Sequence, residues 1–264
     1  MPDPSPPSGA DRDYVQAVER AFAVIRAFGR DTPSLTLSDV ARATGLSRGT
    51  ARRFLLTLQR LGYVRSEDNR FSLTARLLDL GHAFLVSNSR WDIVQDHLES
   101  LVAELDDSSS GAVLDATDIL YVVTVPRQRV FSSVVEVGTR LPAYATSLGR
   151  VLLAHLGADE LDRYLEQVVL TPLTPRTVTD PRVLRAQLDL VREQGWAVVD
   201  QELELGLRSI AAPLRDCTGR VFAAVNVSTA TARVTLDRLR RNHLPALLRT
   251  AATIGSDLAR FGAA

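Results

Sequence analysis

Apolar residues recur at helical spacing through the first part of the chain. Val15, Val18, Phe22, Ile25 and Phe28 predict a helix from Asp13 to about Gly29. Gly29 and Pro33 in "GRDTPS" break it. A second, short helix opens at "TLSD", where Thr36 caps, Asp39 completes a capping-box-like pair, and Leu37, Val40 and Ala41 form the inner face. Gly45 closes that helix, because glycine accepts positive φ. Ser47 caps a third, longer helix whose stripe of Ala51, Phe54, Leu55, Leu58 and Leu61 is expected to be buried, with Gly62 at its end. In "YVRSEDNRFSL" two short β-type runs flank the turn residues Glu67, Asp68 and Asn69, which reads as a hairpin. Three helices and a hairpin make a winged helix-turn-helix.

The pattern then changes. From Thr74 to about Leu105 it is helical, first as a connecting helix and then as the opening helix of another domain. Beyond "DDSSSG" the runs "GAVLDA", "ILYVVTV" and "VFSSVVEV" are β-rich, "TSLGRVLLAHL", "DELDRYLEQV" and "PRVLRAQLDLVREQG" are helical, and "WAVVD", "RSIAAPLRD" and "RVFAAVNVST" are strands. A closing helix follows, with a kink expected at Pro245. Strands and helices mix without strict alternation, which predicts an α+β fold with a largely antiparallel sheet. The organisation read from this is a disordered Pro/Ser-rich tail at 1–12, a winged helix-turn-helix at 13–73, a linker helix at 74–90 and a second domain at 91–264.

Composition adds mainly exclusions. The 264 residues carry 31 basic and 31 acidic side chains, so any electrostatic partner has to be met locally. No run of about 18 apolar residues could span a bilayer, so no membrane partner is expected. The N-terminus "MPDPSPPSGADRD" lacks the apolar stretch of a signal peptide, which makes the cytoplasm the default location. With one cysteine, Cys217 in an apparent turn, no internal disulfide is possible. His82, His97, His155 and His243 lie far apart in sequence, so neither a metal nor another cofactor is expected. "YATSLGR" is not a nucleophile elbow, and Glu202 and Glu204 read as a solvated or ion-paired loop rather than an acid/base pair. The chain is therefore not read as an enzyme.

The third helix carries the local charge. From Arg42 to Arg70 there are seven arginines against Glu67 and Asp68, a net of +5 in a neutral chain, and the chain has no lysine at all. Arg48, Arg52 and Arg53 lie away from the apolar stripe and have no acid three or four residues away on that helix. A face built for solubility usually mixes signs. In a helix-turn-helix the N-terminal half of the second helix enters the major groove, and here that half holds Ser47, Arg48, Thr50, Arg52 and Arg53. Arginine pairs with guanine O6/N7, while Ser and Thr hold phosphates. Arg65 and Arg70 flank the hairpin turn, where a wing meets the backbone or minor groove. The expected partner is double-stranded operator DNA. Single modules of this kind are weak readers, so a dimer is expected.

The second domain is too long for a dimerisation tag alone, and a binding pocket accounts for it better than catalysis. "LPAYATSLGRVLLA" turns from strand to helix near Ala145, where Thr146 or Ser147 can cap. The first-turn N–H groups of Ser147, Leu148 and Gly149 would then face an anion. Ser209, Asn226 and Ser228 sit among apolar residues on strand-like runs, and Asn226 and Ser228 share a sheet face. Such groups must be satisfied by the protein, by water or by a small polar ligand.

These segments together resemble the IclR family of bacterial transcriptional regulators, from about residue 13 to 261. "LSDVARATGLSRGTARRFLLTLQRLGYV", "LPAYATSLGRVLLA", "DQELELGLRSIAAPLRD" and "GRVFAAVNVS" stand in family order and spacing. "SRGTARRFLLTLQRLGYV" is similar to the branch that controls protocatechuate and 4-hydroxybenzoate degradation, the β-ketoadipate pathway. The resemblance implies a winged helix-turn-helix joined by a helix to a GAF-like effector domain, acting on DNA as a homodimer or homotetramer. It implies an effector pocket at Val130 and Ser133, at Ala145, Thr146, Ser147 and Leu148, at Asp200 and Glu202, and at Ser209, Asn226 and Ser228. Ser209 stands where some members have cysteine, and Tyr144 where many have histidine. The implied effector is a small carboxylic acid: protocatechuate, 4-hydroxybenzoate or β-ketoadipate. The alternatives are a regulator of another carboxylic acid pathway, or one with no small-molecule effector.

Overall fold

The computed structural model describes residues 14–29, 31–81, 90–127 and 135–261. The expected tail at 1–12, residues 82–89 of the expected linker helix, Val130, Ser133 and most of the β-rich run 130–137 lie outside the described residues. The chain divides into two compact units, with the boundary between Asn88 and Ser89.

The first unit contains α1 (Gln16–Arg26), β1 (Leu35–Thr36), α2 (Leu37–Thr44), α3 (Arg48–Arg60), β2 (Val64–Glu67) and β3 (Arg70–Leu73). Local chemistry closes α2 at both ends. The Asp39 N–H donates to the Thr36 hydroxyl and the Thr36 N–H donates to the Asp39 carboxylate. The Thr36 hydroxyl also donates to that carboxylate and holds it below the usual carboxylate range. At the other end Gly45 takes φ 65°. Helix α3 ends in a Schellman turn: Tyr63 N–H donates to the Leu58 carbonyl at 2.9 Å and Gly62 N–H to that of Gln59 at 3.0 Å, with Gly62 at φ 83°. Ala51, Leu55 and Leu58 enter the core as the pattern predicts, but Leu61 is 51% exposed. Leu61 is the C-cap of α3, where the chain is already leaving the helix, so it does not complete the stripe.

The α1 stripe divides in the same way. Val24 and Phe28 are buried and Ile25 packs against the core, whereas Val15, Val18 and Phe22 stay exposed. The wing turn is two residues long, not three. Asp68 and Asn69 take φ 48° and 60°, the type I′ geometry whose twist matches a hairpin, and Glu67 pairs with Arg70 inside the ladder. β1 adds a third strand, with Leu35 opposite Phe71 and Thr36 opposite Arg70. Two residues are too few to show a period of two, so the hydrophobic pattern does not reveal it.

The second unit opens with α4 (Arg90–Leu105) and builds one six-stranded sheet. Its strands are β4 (Ser108–Asp115), β5 (Asp118–Val125), β6 (Arg140–Pro142), β7 (Ala197–Asp200), β8 (Leu207–Arg215) and β9 (Val221–Ala230), in the antiparallel order β6-β5-β4-β9-β8-β7. Helices α5 (Ser147–Ala154), α6 (Ala158–Gln167) and α7 (Pro181–Gln194) cover one face, and α4 and the closing helix α8 (Leu244–Phe261) cover the other. The fold class is α+β. β4 begins at Ser108, inside the "DDSSSG" that looks like a break in sequence. Its serines find partners across the sheet: the Ser109 hydroxyl donates to the Asn226 carbonyl at 2.6 Å and Ser110 N–H to Asn226 Oδ1 at 3.0 Å.

The kink expected near Pro245 takes the form of a π turn, Leu239–His243, directly before α8. Proline lacks an N–H and its ring needs room in the preceding turn, which a widened turn supplies. The turn carries His243 into the interior, where Nε2 lies 3.1 Å from Asp107 Oδ2. Asp107, itself buried, also accepts the Thr229 hydroxyl at 2.9 Å and Arg233 at 2.8 Å. One carboxylate thus ties the start of β4 to the end of β9 and to the turn before α8. Asp107→Ala is expected to lower the unfolding free energy by about 2–4 kcal/mol, because it orphans a buried imidazole and a guanidinium that keeps some access to water. Urea denaturation followed by circular dichroism checks this, and a change below about 0.5 kcal/mol would show the tie to be dispensable.

Candidate functional site

Two places in the molecule are built for recognition, one in each unit. The first is the outer face of α3. Arg48, Arg52, Arg53 and the wing residue Arg65 are all exposed, and among the described residues none of them has an acidic partner. The Ser47 hydroxyl accepts the Thr50 N–H at 3.2 Å as the helix cap, and the Ser47 and Thr50 hydroxyls meet at 2.8 Å. Two hydroxyl protons serve that one contact, so one remains for an outside acceptor. A Cβ at Gly49 would meet nothing within 4 Å, so the first turn of α3 is open to a close neighbour. Arg70 is placed differently from the other four. Its Nε donates to the Ser34 hydroxyl at 3.0 Å and a terminal nitrogen to the Ser34 carbonyl at 2.6 Å, which fastens β3 to the segment entering α2. It adds positive charge to the wing, but part of its guanidinium is committed to the fold.

The second place is a small cavity between the sheet and the start of α5. Ala145, Thr146 and Ser147 line it from the helix side, and Ser209, Asn226 and Ser228 line it from β8 and β9. Tyr121, Val199, Leu203 and Leu207, which pattern reasoning does not single out, complete the wall. Among the described residues no charged side chain lines it.

The helix side depends on two residues. Thr146 is the N-cap of α5, and its hydroxyl accepts the Gly149 N–H at 3.0 Å. Gly149 N–H is therefore engaged, and only the N–H groups of Ser147 and Leu148 are left as first-turn donors without an intrahelical acceptor. Gly149 itself packs against the preceding turn. A Cβ there would overlap the Ala143 carbonyl oxygen and Cα, far inside the 3.0 Å limit of real contacts.

The sheet side is a small hydrogen-bond chain. Ser147 donates its hydroxyl to Ser209 at 2.8 Å, and Asn226 Nδ2 donates to the Ser228 hydroxyl at 3.0 Å, while Asn226 Oδ1 is held by Ser110 N–H. Ser147, Ser209, Asn226 and Ser228 thus have partners within the protein. Ser209 and Ser228 each act as acceptor here, however, so each keeps its own proton to donate. They are directly paired across β8 and β9, which places their Cα atoms about 4.5–5.5 Å apart. Two donors at that spacing suit the two oxygens of one carboxylate.

The remaining positions are not brought to the cavity. Leu148 is fully buried in the core behind α5. Tyr144 turns away and donates its hydroxyl to the Thr171 carbonyl at 2.8 Å. Asp200 is paired with Arg176 at 3.0 Å and Arg208 at 2.9 Å. Glu202 is buried and pairs with Arg150 at 2.5 Å, while the same oxygen accepts the Val178 N–H at 3.1 Å. Burial lowers the pKa of Arg150 and Glu202 works against that shift. Glu202 holds the 201–206 loop, and with it Leu203, against α5, so it shapes the wall without facing the cavity. Glu204, by contrast, is exposed, and Cys217 lies exposed in the β8–β9 turn. Among the described residues no group of three or more His, Cys, Asp or Glu could hold a metal, and no helix is long and apolar enough to cross a membrane.

A winged helix-turn-helix with an uncompensated arginine face, followed by a separate unit that encloses a polar-walled cavity, is the build of a DNA-binding transcriptional regulator. Residues 17–68 match the IclR helix-turn-helix domain and residues 85–256 match the bacterial transcriptional regulator IclR C-terminal domain; the chain belongs to the IclR family. It is a regulator and not an enzyme. The Pca regulon regulatory protein of Pseudomonas putida is 43% identical over 90% of this chain and 82% of its own length. The crystal structure of a transcriptional regulator from Rhodococcus sp. RHA1 is 51% identical, with a TM-score of 0.83 over 94% of this chain and 100% of that one. An IclR homologue from Microbacterium hydrocarbonoxydans, solved in complex with 4-hydroxybenzoate, is 26% identical, with a TM-score of 0.79 over 92% of this chain and 98% of that one.

Gly149→Ala tests the foundation of the cavity. The added methyl has only backbone to push against, so the loss of stability is expected to reach or exceed the upper end of the ~1–3 kcal/mol usual for overpacking. A melting curve that matches the wild type would show that α5 can shift away from Ala143 at little cost.

Proposed function

We propose that this chain is a regulator of aromatic acid catabolism by the β-ketoadipate route. In this reading it holds operator DNA with Ser47, Arg48, Thr50, Arg52, Arg53, Arg65 and Arg70, and takes a small carboxylic acid into the cavity of the second unit. The single observation that carries the effector half is the pair of free donors on Ser209 and Ser228, beside the first-turn N–H groups of α5, in a cavity that no charged side chain lines among the described residues. The P. putida relative bears the name of the Pca regulon, and the Microbacterium homologue was solved with 4-hydroxybenzoate, which together favour protocatechuate, 4-hydroxybenzoate or β-ketoadipate as the effector. Ala145, Thr146, Ser147, Ser209, Asn226 and Ser228 would form its site, and the protein would act in the cytoplasm.

The proposal extends to assembly. Tyr14, Val15, Val18 and Phe22 leave an exposed apolar stripe at α1, which suits a homodimer, alone or within a homotetramer, presenting two α3 helices to paired half-sites. An acid that binds one arrangement of the protomers better than another shifts the equilibrium between them, with couplings typically about 1–3 kcal/mol. A specific observation also favours a second reading, a regulator with no effector: the hydroxyls of Ser147, Ser209 and Ser228 already have partners within the protein.

Thermal shift with each of the three acids separates these readings. A ligand that binds only the folded state raises the melting temperature by mass action. A selective rise is expected, and no rise with any acid would favour the effector-free regulator. Arg52→Ala is expected to weaken operator binding by ~1–3 kcal/mol if Arg52 reads a base; unchanged gel shifts would remove it from the interface. Ser228→Ala is expected to reduce the acid-induced thermal shift and leave operator binding intact. An unaltered titration would take Ser228 out of the site.

A further inference from the structure

One cavity residue is left without a partner. Tyr121 lines the cavity and is only 6% exposed, and among the described residues its hydroxyl makes no hydrogen bond. A largely buried phenol normally finds a partner, and with no protein acceptor the Tyr121 hydroxyl is left to water or a ligand. Burial pushes its pKa up to about 12, so it stays protonated across the physiological range and is available as a donor.

Register fixes where this donor stands. Tyr121 on β5 is opposite Ala112, and Ala112 on β4 is opposite Ala224 on β9. Ser228 lies four residues further along β9, paired with Ser209 on β8. Two strands across and four residues along place the Tyr121 and Ser228 Cα atoms roughly 16 Å apart on a flat sheet. Both side chains nevertheless line the same cavity, so a ligand held at Ser228 has Tyr121 at its far side. The residues Ala112 and Ala224, which carry the register from β5 to β9, are buried on the same face as Tyr121.

We propose that Tyr121 is the specificity-determining residue of the cavity, donating to a hydrogen-bonding substituent at the end of a planar aromatic acid opposite its carboxylate. This rests on the reading that the carboxylate sits at Ser209 and Ser228. The apolar wall of Val199, Leu203 and Leu207 accepts any ring of the right size; Tyr121 chooses among such rings by the group they carry at the far end. Without an acceptor there, the phenol stays buried and unsatisfied in the complex, and water that could have served it is displaced. Discrimination therefore comes from the cost of the wrong ligand as much as from the gain of the right one.

The test compares two acids of the same shape, 4-hydroxybenzoate and 4-methylbenzoate, titrated calorimetrically into the full-length wild type and Tyr121→Phe. Phenylalanine keeps the ring, and a melting curve for the variant checks the fold. The wild type is expected to prefer the hydroxyl acid by about tenfold, the upper part of what one hydrogen bond supplies. In Tyr121→Phe the two affinities should fall within about twofold of each other, mainly through weaker binding of 4-hydroxybenzoate. A preference that survives in Tyr121→Phe overturns the assignment of Tyr121, and so does a wild type that binds both acids equally; in either case binding itself leaves the carboxylate reading standing. No binding of either acid to the wild type removes the carboxylate reading and this proposal with it.

Discussion

The second unit depends on a contact that only glycine permits. At position 149 the helix α5 backbone lies so close to Ala143 that no side chain fits between them. Because of that approach the chain can leave the Ala143–Ala145 turn and begin α5 at once, with Thr146 as cap. The helix start is thereby fixed over the sheet, with Ser147 close enough to reach Ser209. One turn later Arg150 is aimed back at the Tyr144 carbonyl and across to Glu202. A buried pair of this kind adds little net stability over a well-packed apolar pair, since both charges lose water. It does give the 201–206 loop one position, and that loop closes the cavity. The helix start, its cap, the ion pair and the cavity wall are therefore one mechanical unit hinged on a missing methyl group.

The first unit was largely legible in the sequence because its decisive features are local. Thr36 with Asp39, Ser47 with Thr50, and the left-handed positions at Gly45, Gly62, Asp68 and Asn69 are all set by residues within a few places of one another. Errors arose where one residue decided an end. Leu61 falls on the apolar stripe by spacing but sits where the chain has begun to leave the helix. Strand β1 is too short to show alternation and exists because β3 offers it an edge.

The cavity was only partly legible. Its serines and Asn226 stand out as polar groups on apolar strands, and their partners turn out to be each other across strands that pattern alone does not align. Leu148, Asp200 and Glu202 come near it in sequence yet point elsewhere, since a helix turns its side chains through all directions and an arginine far along the chain can claim a carboxylate. Tyr121 was missed for the opposite reason. In "ILYVVTV" it passes for an ordinary core aromatic, and only the register with Ala112 and Ala224 shows which face its hydroxyl shares.

Among the described residues the cavity wall carries no charged side chain, which separates how the two halves respond to their surroundings. Contacts to DNA through arginine release condensed counterions, so their strength falls steeply as salt rises, by a log–log slope of about −0.9 for each phosphate neutralised. An acid held by hydroxyls and backbone N–H groups displaces no such ions, and its affinity is nearly blind to ionic strength. In the proposed reading, a rise in salt would loosen the grip on DNA while leaving occupancy of the cavity almost unchanged. In that reading the concentration of the acid and the ionic strength are separate inputs to one chain.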